Sequence, residues 1–168
     1  IKTDNYTIKD KYTIDDCGRM YGVKTTLQNI PNKVLAFILN NEAYDIDMKN
    51  ASFSFVKHII NTNALFADHI HEFKTLIDYA NNRDKYLKYG FDKMKWIEIL
   101  FCKKSQSYIN KDKYDKQFNR LILEIDIFKQ MVHDNIDDFG IHFKDEKHIG
   151  SKVSTIVYHL EHNLLQKV

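Results

Sequence analysis

The run from Tyr114 to Val132 limits the folds open to this chain more than any other stretch. Phe118, Leu121, Ile122, Ile125 and Phe128 recur at i, i+3, i+4, i+7 and i+10, which places them along one stripe of a 3.6-residue helix. A stripe of five large apolar side chains is stable only under cover, so the chain needs further elements with matching faces. They are readily found. Phe73, Leu76, Ile77 and Ala80 mark one helix, ended by Asn81-Asn82-Arg83-Asp84. Lys93 to Lys103 reads as another, with Met94, Ile97, Leu100 and Phe101 inward and Lys93, Lys95, Lys103 and Lys104 outward. A last helix, capped by Ser151, carries Val153, Ile156, Val157, Leu160, Leu164 and Leu165 inward. Five glycines and one proline in 168 residues leave few interruptions. The turn chemistry of Asp137-Asp138-Phe139-Gly140 marks one of them.

The N-terminal third is less regular. The first 25 residues are polar and poorly periodic, a loop with at most a short strand. Asn29-Ile30-Pro31-Asn32 opens a helix with Val34, Leu35, Ile38 and Leu39 at helical spacing. Ala43 to Met48 then alternates apolar and polar, the period of a half-buried strand. Asn50 follows as a side-chain cap for a helix bearing Phe53, Val56, Ile59 and Ile60. The expected fold class is mainly α with a small β element (α+β).

Length and composition exclude several classes. The 168 residues suit one domain or one large fragment. Apolar residues at 43% argue against a disordered tail. No stretch approaches the roughly 20 apolar residues that span a bilayer, and no leader pattern opens the chain, so neither membrane nor secretion is expected. Cys17 and Cys102 are too few for a disulfide scaffold. The initial Ile1 suggests an excised piece. The net charge of +2 conceals a gradient: residues 81–120 carry eleven basic and five acidic groups, while 41–80 and 121–168 are each net −3. A basic middle between acidic flanks is either a polyanion footprint or a solvated helix face. Tyr79, Tyr86, Tyr89, Trp96 and Tyr108 interleave with it; they stack on bases or fill a core.

Asp45 and Asp47 form the chemically richest pair. At i and i+2 on a strand they share one face. Two like charges there are relieved by a cation, and hard carboxylate oxygens suit Mg²⁺ or Mn²⁺. The alternative is a pair of solvated acids on an exposed strand. His69-x-His71 and His159-x-x-His162 fall short of the three or four ligands that Zn²⁺ requires. Cys102 lies near the end of an apolar face and reads as core. No glycine-rich phosphate loop and no Gly-x-Ser-x-Gly elbow occurs.

The order of segments resembles a known group. Gly18-Arg19-Met20-Tyr21, Thr26 to Pro31, Tyr44-Asp45-Ile46-Asp47 with Asn50-Ala51, Tyr79 with Asn82-Arg83-Asp84, and the lysine helix at Lys93 follow one another. The series resembles the replication polymerase-like proteins of large DNA viruses and mobile elements, distant relatives of family A DNA polymerases. The resemblance spans nearly the whole chain, and the acidic strand is its most specific part. It implies a partial palm over residues 1–60 and a helical fingers-like region over 61–168. Asp47, or Asp45, would be the catalytic metal-binding aspartate. Lys93 and Lys95 would neutralise a triphosphate, with Arg83, Lys103 and Lys104 as further nucleic-acid contacts. Asn50 would position a sugar unless it caps its own helix.

The chain departs from the pattern at several points. Phe53 stands where the group has Pro, Phe101-Cys102-Lys103-Lys104 replaces a glycine turn, and the usual Arg after the Ile-Pro segment is represented at most by Lys33. The second catalytic carboxylate strand, expected after the last helix, is not in this sequence, so the fragment alone is expected to be inactive as a polymerase. The implied partners are nucleic acid, nucleoside triphosphate and the remainder of a larger replication protein. The implied location is cytoplasm, virion or viral factory. A non-catalytic nucleic-acid-binding protein, or a helical viral structural or interaction protein, is the rival reading.

Overall fold

A computed structural model describes residues 12–14, 20–22, 31, 34, 50–110, 112–141, 143 and 147–165. The chain divides into two compact units, Ile1–Asp47 and Met48–Val168. The first contains an antiparallel pair, β1 (Tyr12–Ile14) and β2 (Met20–Gly22), with Thr13 opposite Tyr21. The short strand thus falls within the first 25 residues. The strand expected over 43–48, with Asp45 and Asp47, and most of the helix expected over 33–39 lie outside the described residues. Of that helix Val34 is described; its amide bonds back to the Pro31 carbonyl and its side chain is 48% exposed.

The second unit is helical throughout its ordered elements. Its α-helices are α1 (Ala51–Thr62), α2 (Lys74–Asn81), α3 (Lys93–Phe101), α4 (Lys116–Asp134) and α5 (Ile149–Leu165), linked by 3-10 turns at Ala64–Phe73, Arg83–Tyr89, Ser105–Tyr108 and Ile136–Phe139. α1 belongs to this unit, packed on α2 and α5, and the boundary between the compact units falls at residue 47.

α4 is the strut. Phe118, Leu121, Ile122, Ile125 and Phe128 are all fully buried, against α2, α5 and the Ser105–Tyr108 turn. At one end Trp96 meets Tyr79, Tyr86, Phe91 and Phe118 with ring centroids 4.9–6.4 Å apart. Toward the other end Phe66 stacks on Phe128 at 5.5 Å and meets Phe73 edge-on. Phe66 and Phe73 both reach the core from this ten-residue 3-10 run, which is longer than such helices usually persist. Asn63 starts it by accepting the Leu65 amide at 3.0 Å.

Three local expectations change. α3 buries Trp96, Ile99 and Leu100, whereas Met94 is 68% exposed and Ile97 and Phe101 are half-buried. The indole chooses the inward face because it has the most surface to bury. Asn50 occupies the N-cap of α1 but does not cap with its side chain. It sits at φ 58°, buried, and its Nδ2 donates to the carbonyls of Tyr79 and Ala80 at 3.5 and 3.3 Å. It therefore ties the start of α1 to the end of α2. Ser151 lies inside α5 rather than ahead of it, and its carbonyl accepts from Thr155 Oγ1.

Candidate nucleic-acid interface

The basic segment is built differently along its length. Lys88 and Asp115 pair at 3.2 Å, and Tyr89 donates to the same carboxylate. Lys95 donates to both Glu98 oxygens at 2.9 Å and lies over the Tyr108 ring. The Glu98 contact holds the Lys95 ammonium above the usual lysine range. Lys93 is exposed at the first position of α3, and Arg83 is half-buried at the start of its 3-10 turn. Lys95 lines a shallow concavity with Asp92, Met94 and Glu98 that neither Arg83 nor Lys93 lines. Tyr79, Tyr86 and Trp96 are buried and fill the core, the second of the two readings their interleaving allows, and cannot stack on a base. Tyr89 and Tyr108 remain half-exposed, each tied through its hydroxyl to a carboxylate.

Lys103 and Lys104 have different neighbours. They follow α3 and face a cleft of about 800 Å³ whose other walls are Asp126, Gln130 and His133 of α4, and Lys147, His148 and Lys152 at the start of α5. Four ammonium groups and two imidazoles thus surround one carboxylate. That carboxylate is already occupied: Asp126 accepts from the Ser105 amide at 3.2 Å and Gln106 Nε2 at 2.8 Å, with Lys129 Nζ at 3.7 Å. Lys103, Lys104 and Lys147 have no carboxylate partner among the described residues. The start of α5 adds the positive end of a helix dipole.

Two devices hold these walls together. Gly150 lets the first turn of α5 pass against the end of α3; a Cβ there would lie 2.0 Å from the Phe101 carbonyl oxygen. Beneath the Cys102–Ser105 turn, the fully buried Lys129 donates to the Cys102 carbonyl at 2.8 Å and Ser105 Oγ at 2.6 Å. Burial pushes the Lys129 ammonium below the usual lysine range. Cys102 itself is half-buried, its Sγ 3.9 Å from Lys129 Nζ.

Of the basic residues lining this cleft, sequence reasoning singled out Lys103 and Lys104 but not Lys147, Lys152, His133 or His148. The last four sit in a segment of net negative charge, and only the fold carries them to the first two. Among the described residues, no three His, Cys, Asp or Glu side chains group to hold a metal ion. His69 is instead engaged by Glu72 at 2.7 Å. No described helix is long and apolar enough to cross a membrane. No protein-family profile matches the chain, nor does any curated protein or solved structure.

Proposed function

We propose that this chain binds nucleic acid through phosphate contacts, with the cleft between α3, α4 and α5 as the contact surface, serving as the fingers-like part of a template-dependent nucleotidyltransferase. One observation supports it above the rest: Lys103, Lys104, Lys147 and Lys152 converge on one cleft in which Asp126, the one carboxylate among its described residues, is occupied internally. Ammonium groups without a carboxylate partner among the described residues, gathered in a concavity, are what a phosphate ester neutralises with release of counterions. The aromatic side chains are largely withdrawn into the core, so this reading predicts binding to the backbone with little base preference.

A fluorescence titration with single-stranded DNA across salt concentrations tests it. Log affinity falls linearly with log salt, by roughly 0.7 per phosphate contact. Lys103→Glu with Lys104→Glu weakens binding and lowers that slope, whereas Lys57→Glu with Lys74→Glu, away from the cleft, changes little. Binding that ignores salt, or two pairs of equal effect, refutes the proposal.

The catalytic half of the reading depends on Asp45 and Asp47. Two carboxylates offer the hard oxygen ligands that Mg²⁺ takes up beside substrate phosphates. Mn²⁺ relaxation enhancement by the chain, abolished in Asp47→Asn, is the expected result. Equal enhancement by the wild-type and Asp47→Asn chains would leave a non-catalytic binding module.

A further inference from the structure

We propose that the cleft takes up a proton when it binds a phosphate ester, and that His133 receives it. The inference rests on the cleft being a phosphate site. Lys152 Nζ lies 3.1 Å from His133 Nδ1. An ammonium group can only donate, so Nδ1 is the acceptor and carries no proton in this arrangement. Among the described residues, the other titratable or charged groups that line the cleft with His133 come from three elements. Lys147 and His148 come with the start of α5, Lys103 and Lys104 follow α3, and Asp126 stands on its own helix. Asp126 is spoken for by Ser105, Gln106 and Lys129, so among the described residues lining the cleft no free carboxylate competes for the imidazole.

A phosphate in the cleft attracts the Lys152 ammonium, which turns its donor from Nδ1 to a phosphate oxygen. Nδ1 then loses its donor beside a new anion. A proton from solvent binds Nδ1, and the imidazolium donates to the phosphate. No other bond forms or breaks. The pH range that reads the exchange is the one in which imidazole side chains as a class change charge, about pH 5 to 8.

His148 provides the internal contrast. Its Nδ1 accepts the backbone N–H of Ser151 at 3.2 Å, and its Nε2 meets Ser151 Oγ at 2.9 Å. A backbone donor fixed in a helix cannot leave with the ligand, so phosphate binding does not free Nδ1 of His148.

The test uses the full chain and a single-stranded oligothymidylate, whose diester phosphates keep one charge each throughout the range, at constant ionic strength between pH 6 and 8. Uptake of one proton makes log affinity fall by up to about one per pH unit. The expected result is a several-fold tighter complex at pH 6, flattened in His133→Gln and retained in His148→Gln. Should His133→Gln fail to fold, calorimetry of the wild-type chain in buffers of different ionisation enthalpy counts the protons directly, and uptake near one supports the proposal. Salt-dependent binding without a pH slope, or with a slope that survives in His133→Gln, overturns the proton linkage and leaves phosphate binding standing. Absence of salt-dependent binding at both pH values overturns both.

Discussion

Replacing Gly150 with alanine isolates the close approach on which the cleft is built. The added Cβ would stand 2.0 Å from the Phe101 carbonyl oxygen and 2.5 Å from the Cys102 carbonyl oxygen. Comfortable heavy-atom contact needs roughly 3.5 Å, so α5 must retreat from α3 by about 1 Å or more. The obstacle is backbone, which cannot swing aside as a side-chain tip can. Overpacking of this kind costs about 1–3 kcal/mol, and the upper end applies here. Alanine returns about 1 kcal/mol through helix propensity. The expected net loss is about 2 kcal/mol, read as a lower urea midpoint with an unchanged slope. The retreat also carries Lys147, His148 and Lys152 away from Lys103 and Lys104, so oligonucleotide affinity falls under conditions where the variant is fully folded. A variant as stable as the wild type, or one stabilised by the propensity gain alone, would refute the reasoning.

Three further outcomes are expected. Lys129→Met strands the Cys102 carbonyl and Ser105 Oγ, costing about 2–3 kcal/mol by chemical denaturation. Because burial lowers the pKa of Lys129 in the folded chain, the unfolded chain binds that proton more tightly. This residue's contribution to stability therefore rises with pH in the window below pH 10.5, and Lys129→Met removes that rise. Asp115, whose hydrogen bonds from Tyr89 and the Phe118 amide bring its pKa down to about 2, stabilises the fold above its ordinary pKa of 3.8. Its contribution disappears as pH falls from there toward 2, and Asp115→Ala, which removes the α4 cap, costs about 1–2 kcal/mol at neutral pH. Tyr79→Phe is neutral or stabilising, because the Tyr79 hydroxyl is buried without a partner. Tyr86→Phe costs about 1 kcal/mol, since it gives up bonds to Asp78 and Gln117; matched thermal melts separate the two.

The long helices were legible because their periodicity is the physics that folds them. Every apolar position singled out on α4 is buried. The phase of α3 was not legible, since Met94, Ile97 and Phe101 satisfy the same spacing as Trp96, Ile99 and Leu100, and the choice belongs to the aromatic cluster it faces. Asn50 misled for a related reason: a cap residue offers both a donor and an acceptor, and proximity to the end of α2 engaged the donor. The segment at 64–73 has too short a repeat to announce a 3-10 run. Half of the cleft was visible as Lys103-Lys104. The other half depends on a glycine whose significance is invisible until the Phe101 carbonyl stands opposite it.

Trp96 is the sole tryptophan in the sequence and is sealed within the aromatic cluster at 1% exposure. It does not line the cleft. Nature has thereby installed a label-free optical reporter in the aromatic cluster of the helical unit: its emission reddens when the unit opens, and it takes no direct part in lining the surface that ligand fills. Folding and binding can be followed in one cuvette as separable signals, with no dye attached to either partner.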